Sequence, residues 1–98
     1  MPKLTIQDIQ RLPKTDLHVH LDGSLRIQTI LELAEQQKVK LPADSPDRLR
    51  PFVEVGEDCK SLVDYLKAFD VTLSVMQTHE ALVRTAFELA EDAALENV

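Results

Sequence analysis

Residues 15–21, TDLHVHL, alternate strictly between polar and apolar side chains. On an extended backbone Leu17, Val19 and Leu21 point one way and Asp16, His18 and His20 the other, the period-two pattern of a half-buried strand. No other stretch of the 98 residues alternates in this way. This constrains the fold more than any other feature, because a lone strand has backbone N–H and C=O groups without partners along both edges.

The remaining segments read as helix or loop. Thr5 caps a short helix ending near Leu12, and Pro13 stops it. Asp22-Gly23-Ser24 is a turn that ends the strand, with Ser24 placed to cap a helix over residues 25–37. That helix carries Ile27, Ile30, Leu31 and Ala34 on one face. Residues 38–59 hold Pro42, Pro46, Pro51 and Gly56 and read as a loop, with one helical turn after Ser45 and Pro46 at its first position. The acidic stretch 54–58 lacks the spacing of a calcium loop and reads as solvated. Residues 61–76 form a second strong helix with Leu62, Leu66, Phe69, Leu73 and Met76 on one stripe. Thr78 caps a third, reaching about Glu96, with Asn97 placed to terminate it. The apolar stripe of this last helix is wide, including Leu82, Val83, Phe87 and Leu89, and predicts burial on more than one side. A strand followed by helices is the opening unit of an α/β protein. The competing reading is an all-α miniature in which TDLHVHL is merely extended.

Composition removes several function classes. Eleven basic residues stand against 17 acidic ones, for a net charge of -6, which disfavours nucleic acid as a partner. The single cysteine, Cys59, closes no intrachain disulfide and suits a reducing, cytoplasmic setting. No apolar run is long enough to span a membrane, and the N-terminal residues do not read as a signal peptide. With four aromatic residues among 44% hydrophobic ones, any core is aliphatic.

The chemistry-bearing feature is His18-x-His20. On a strand, residues i and i+2 project to the same face, so two imidazoles converge on one metal ion. Two surface histidines would carry the same spacing. The strand, the Asp-Gly turn and the helix behind it favour the metal site, as at the rim of a parallel barrel. A catalytic zinc takes three protein ligands plus water. His79 reads as solvent-exposed in a first helical turn and Cys59 as incidental, so the donor set is incomplete. There is no Gly-rich phosphate loop, no G-x-S-x-G elbow and no H-x-E with P-C-x-x-C.

The string LPKTDLHVHLDGSLR, residues 12–26, resembles the N-terminus of the adenosine deaminase family, within the metal-dependent amidohydrolases. Residues 61–70, SLVDYLKAFD, look like that family's lid helix. The resemblance implies an α/β fold, with residues 1–98 as the N-terminal segment of a single (β/α)8 TIM barrel, truncated before the second strand, with one strand and several helices present. It also implies Zn2+ held by His18 and His20, Asp22 accepting a hydrogen bond from the ribose 5′-hydroxyl, and Leu62, Tyr65, Leu66 and Phe69 covering a purine pocket. No catalytic acid or base falls within this segment.

The implied reaction of the full-length protein is hydrolytic deamination of adenosine, and of 2′-deoxyadenosine if the pocket admits it, to inosine and ammonia. The isolated segment is expected to be inactive. Ile27, where relatives carry Pro, and Tyr65, where Phe is common, are mild departures. Adenine and aminodeoxyfutalosine remain alternative substrates, although an Asp at position 22 favours a nucleoside. The alternative of another class is a non-catalytic remnant, a helical fragment that self-associates through its apolar stripes.

Overall fold

The computed structural model describes residues 2–54, 56 and 59–98. Five α-helices follow one another: α1 (Ile6–Arg11), α2 (Ile27–Gln37), α3 (Pro46–Val53), α4 (Leu62–Ser74) and α5 (His79–Leu95). A single 3-10 turn, Leu21–Gly23, precedes α2.

The expected α/β architecture is not found: among the described residues there is no strand and no sheet. Residues 15–20 are extended or bent, and His20 has β-region angles (φ -104, ψ 126), but no second segment pairs with them. A strand exists only through its ladder. The alternation in TDLHVHL is therefore real as a local pattern and unfulfilled as a sheet. The face expected to pack beneath helices is instead open, with Leu17 95% exposed and Val19 49%.

The helix boundaries follow their caps. Thr5 and Asp8 form a reciprocal capping box on α1, and those hydrogen bonds, the backbone one foremost, hold the Asp8 carboxyl below its usual range. Ser45, Ser61 and Thr78 each accept a backbone N–H two or three positions into α3, α4 and α5. Ser24 does not cap α2. Its hydroxyl donates to the His20 carbonyl at 2.6 Å, and α2 begins after Arg26 with no side-chain cap. α2 ends with Lys38 in the left-handed region (φ 57), and Asn97 (φ 61) follows α5 in the same conformation.

α3 is longer than the single turn expected after Ser45. Pro46 opens it, Leu49 anchors it in the core, and Arg50 meets Glu54 at 2.7 Å across its last turn. Pro51 lies inside the helix rather than ending it. Of the acidic stretch read as a solvated loop, Val55, Glu57 and Asp58 lie outside the described residues.

The core is small and aliphatic. Ile30, Leu33 and Ala34 of α2 meet Leu49 of α3, Val75 just after α4, and Ala81 of α5. Gln37 adds a polar tie, its side-chain amide donating to the Val75 carbonyl at 2.6 Å. Neither long apolar stripe is buried as expected. Leu62, Leu66 and Leu73 of α4 and Leu82, Val83 and Phe87 of α5 are exposed. No helix among the described residues is long and apolar enough to cross a membrane.

Candidate functional site

His18 and His20 bring their Nε2 atoms to 2.9 Å of each other, the rings stacked with centroids 4.8 Å apart and planes 25° apart. The i, i+2 spacing on an extended backbone produces this arrangement without help from other elements. For a hydrogen bond at this distance one Nε2 donates and the other accepts. Two nitrogens bound tetrahedrally at about 2.0–2.1 Å from zinc stand about 3.3 Å apart. A small opening of the pair therefore meets that requirement, and imidazole nitrogen is a common zinc donor.

The turn behind the pair is closed by its own hydrogen bonds. The His20 carbonyl accepts from Gly23 N–H (3.2 Å) and from Ser24 Oγ (2.6 Å), while Ser24 N–H donates to the Leu21 carbonyl (3.0 Å). Asp22 sits in this turn with Oδ1 4.0 Å from His20 Nδ1, too far for a direct hydrogen bond. Asp22 also lines a cleft of about 550 Å3 between the turn, α2 and α4, whose wall includes Tyr65 and Phe69. Those two rings meet edge to face with centroids 5.7 Å apart. Phe69 lies so close over Gly23 that an added Cβ would stand 3.3 Å from its Cε1. Close approach, not a left-handed backbone, is why glycine suits this position.

Of the residues singled out from sequence, Asp22, Tyr65 and Phe69 are gathered on one cleft, and His18 and His20 adjoin it through the turn. Leu62 and Leu66 lie outside its lining and are exposed. His79 sits exposed in the first turn of α5, and Cys59 Sγ donates to the Ser61 carbonyl at 3.4 Å. Among the described residues no group of three or more His, Cys, Asp and Glu side chains converges to hold a metal. A larger cleft, about 840 Å3, lies along α2, the 39–44 loop and α3. It shares no lining residue with the first and carries acids and bases without convergence.

The sequence reading missed a set of ion pairs behind the turn. The Arg26 guanidinium donates to Asp92 through Nε (3.1 Å to each oxygen) and Nη2 (2.6 Å), to Glu91 (2.7 Å) and to Glu88 (3.4 Å). Arg84 joins Glu32 of α2 at 2.9 Å and Glu88 at 3.2 Å, and the buried Thr29 hydroxyl also donates to Glu88. The hydrogen bonds that Arg26 donates to Asp92 and Glu91 push its pKa further up, and the same bond holds the Asp92 carboxyl below its usual range. The signal was available: Glu88, Glu91 and Asp92 stand at i, i+3 and i+4 on one helix face, where like charges repel unless a cation arrives from elsewhere.

The sequence model of the adenosine deaminase family matches residues 13–98. The chain belongs to the adenosine deaminase family. An adenosine deaminase of Vibrio atlanticus is 55% identical over 91 residues, covering 93% of this chain and 27% of the relative. One from Shewanella woodyi is 52% identical over 89 residues (91% and 27%). One from Clostridium botulinum is 48% identical over 91 (93% and 27%). This member of the family thus spans about a quarter of the length of the curated relatives it matches. No solved structure matches it significantly.

Proposed function

We propose that these residues serve the zinc-dependent hydrolytic deamination of adenosine to inosine and ammonia, as one segment of a longer deaminase chain. The observation that carries the proposal is the convergence of the His18 and His20 Nε2 atoms at 2.9 Å, two residues from a carboxylate on an aromatic-walled cleft. Family membership and relatives that bear the name adenosine deaminase support it.

His18 and His20 would hold zinc. When bound, zinc would supply a water acidic enough to give a nucleophile near neutral pH. Asp22 would orient the nucleoside by accepting a hydrogen bond from its ribose 5′-hydroxyl. Tyr65 and Phe69 offer apolar ring surface to a purine. Leu62 and Leu66 are assigned to a lid that shields the reacting centre from bulk water. Two imidazoles and one carboxylate do not complete a catalytic zinc site, which needs a third protein ligand. The acid that protonates the purine ring is likewise assigned to residues beyond this segment. The lone Cys59 fits a reducing, cytoplasmic setting.

The test is to express the open reading frame that carries these residues and to follow ammonia release. Adenosine, 2′-deoxyadenosine, adenine and aminodeoxyfutalosine are offered side by side. Adenosine turnover that disappears in the His18→Ala/His20→Ala variant is expected, together with loss of bound zinc. Full activity in that double variant would overturn the proposal, and preference for adenine or aminodeoxyfutalosine would reassign the substrate.

A further inference from the structure

We propose that Arg26 is a positioning residue: clamped to Glu91 and Asp92 of α5, it holds the 20–24 turn, and with it His20 and Asp22, in register beneath Phe69. The role assigned to the turn rests on the function proposed above. The clamp itself rests on geometry.

Arg26 occupies the N-cap position of α2, yet its side chain caps nothing in α2. It reaches across 65 and 66 residues of sequence to two adjacent carboxylates of α5. A guanidinium held through Nε and Nη2 on one carboxylate and through Nη2 on another has a single orientation, which a lysine ammonium, as a point charge, would not fix. Only Leu25 separates Arg26 from Ser24. From Ser24 the constraint passes through the hydrogen bonds at 2.6 Å and 3.0 Å that close the turn onto His20 and Leu21.

The other end of the same segment is fastened to the same helix end. Lys14 N–H donates to the Asn97 carbonyl at 2.8 Å, and the Asn97 side-chain amide donates to the Gln10 carbonyl at 2.6 Å. The extended stretch that carries both imidazoles is therefore anchored after it to α5, through Arg26, and before it to Asn97, just beyond α5. Phe69 over Gly23 supplies the third contact, on the α4 side.

The experiment measures backbone amide exchange by NMR in the unchanged protein and in Arg26→Gln, Arg26→Lys and Asp92→Asn variants. Cobalt(II) titration serves as a second readout. We expect exchange at Gly23 and Ser24 to accelerate at least about tenfold in Arg26→Gln and Asp92→Asn. Exchange at Leu49 and Val39, bonded within other elements, stays unchanged. Arg26→Lys should resemble Arg26→Gln, because charge without the fork does not hold the turn. Cobalt affinity should fall by about 10–100-fold, the usual loss when a group that orients ligands is removed. Unchanged exchange at Gly23 and Ser24 would overturn the clamp. So would equal acceleration at Leu49 and Val39, which would mark general loosening. The cobalt titration uses the full-length deaminase chain that carries these residues; if that unchanged chain takes up no cobalt, the metal reading fails, and the exchange pattern still decides the clamp.

Discussion

Replacing Leu49 by alanine tests whether α3 is a structural element or an incidental coil in a proline-rich stretch. Leu49 is fully buried and is the only α3 residue in the core, where it meets Ile30, Leu33 and Ala34 of α2. Truncating a buried leucine removes transfer free energy and leaves a cavity, for about 2.7–5.0 kcal/mol depending on how far the site collapses. Here α3 is only eight residues long and can settle inward, so about 3 kcal/mol is the expected loss. At roughly 0.05–0.15 kcal/mol per residue, a chain of this size has about 5–15 kcal/mol in total, and its few buried side chains put it near the lower end. The variant should therefore lose about half its stability. In urea denaturation followed by far-UV circular dichroism the midpoint should fall with the slope unchanged. In thermal melts the shift should be about 12–24 °C, from about 4–8 °C per kcal/mol. Phe52→Ala on the same helix is the control: Phe52 is 49% exposed and should cost under about 1 kcal/mol. A Leu49→Ala loss below about 1 kcal/mol would refute the reasoning, since it would mean that α3 is not docked.

Lys38 adopts φ 57 after α2, a conformation costing an L-residue about 1–2 kcal/mol, so Lys38→Gly should gain about 0.5 kcal/mol after glycine's larger unfolded-state entropy is subtracted. A lower urea midpoint would contradict this. Asp92 has its carboxyl pKa lowered by Arg26, so its contribution to stability is complete above the unfolded value of about 3.9 and is lost as pH falls through the folded value. Asp92→Asn should accordingly flatten the acid limb of a stability–pH curve measured below about pH 5; an unaltered limb would show that the pair is fully screened. Gly23→Val places carbon where Phe69 already sits, 3.3 Å from the new Cβ, and should displace that ring and raise KM for adenosine in the active protein. An unchanged KM would detach Phe69 from substrate binding.

The site was legible where it depends on short-range geometry and illegible where it depends on partners. His18-x-His20 needs only an extended backbone to bring two nitrogens together, and Asp22-Gly23-Ser24 needs only a turn, so both could be read directly. The caps at Thr5 and Thr78 were equally local, whereas Ser24 was read as a cap of α2 that it does not form. The stripe at Leu62, Leu66 and Leu73 announced amphipathicity but not what would cover it, and no described element does. α3 was under-read because Pro51 signals a break, whereas burial of Leu49 and the Arg50–Glu54 pair sustain two turns through it.

The sheet expectation failed for the same reason that the Arg26 clamp was missed. Alternation in residues 15–21 states which faces a strand would present, but a ladder is a relation between segments and leaves no mark on one of them. Arg26 and the acids at 88, 91 and 92 are likewise a relation across more than sixty residues. These two long-range terms are linked. Among the described residues the histidine-bearing segment is tied to α5 by Arg26 and to Asn97, just beyond α5, by Lys14. Anything that shifts the end of α5 should therefore move the imidazole pair before it moves the aliphatic core.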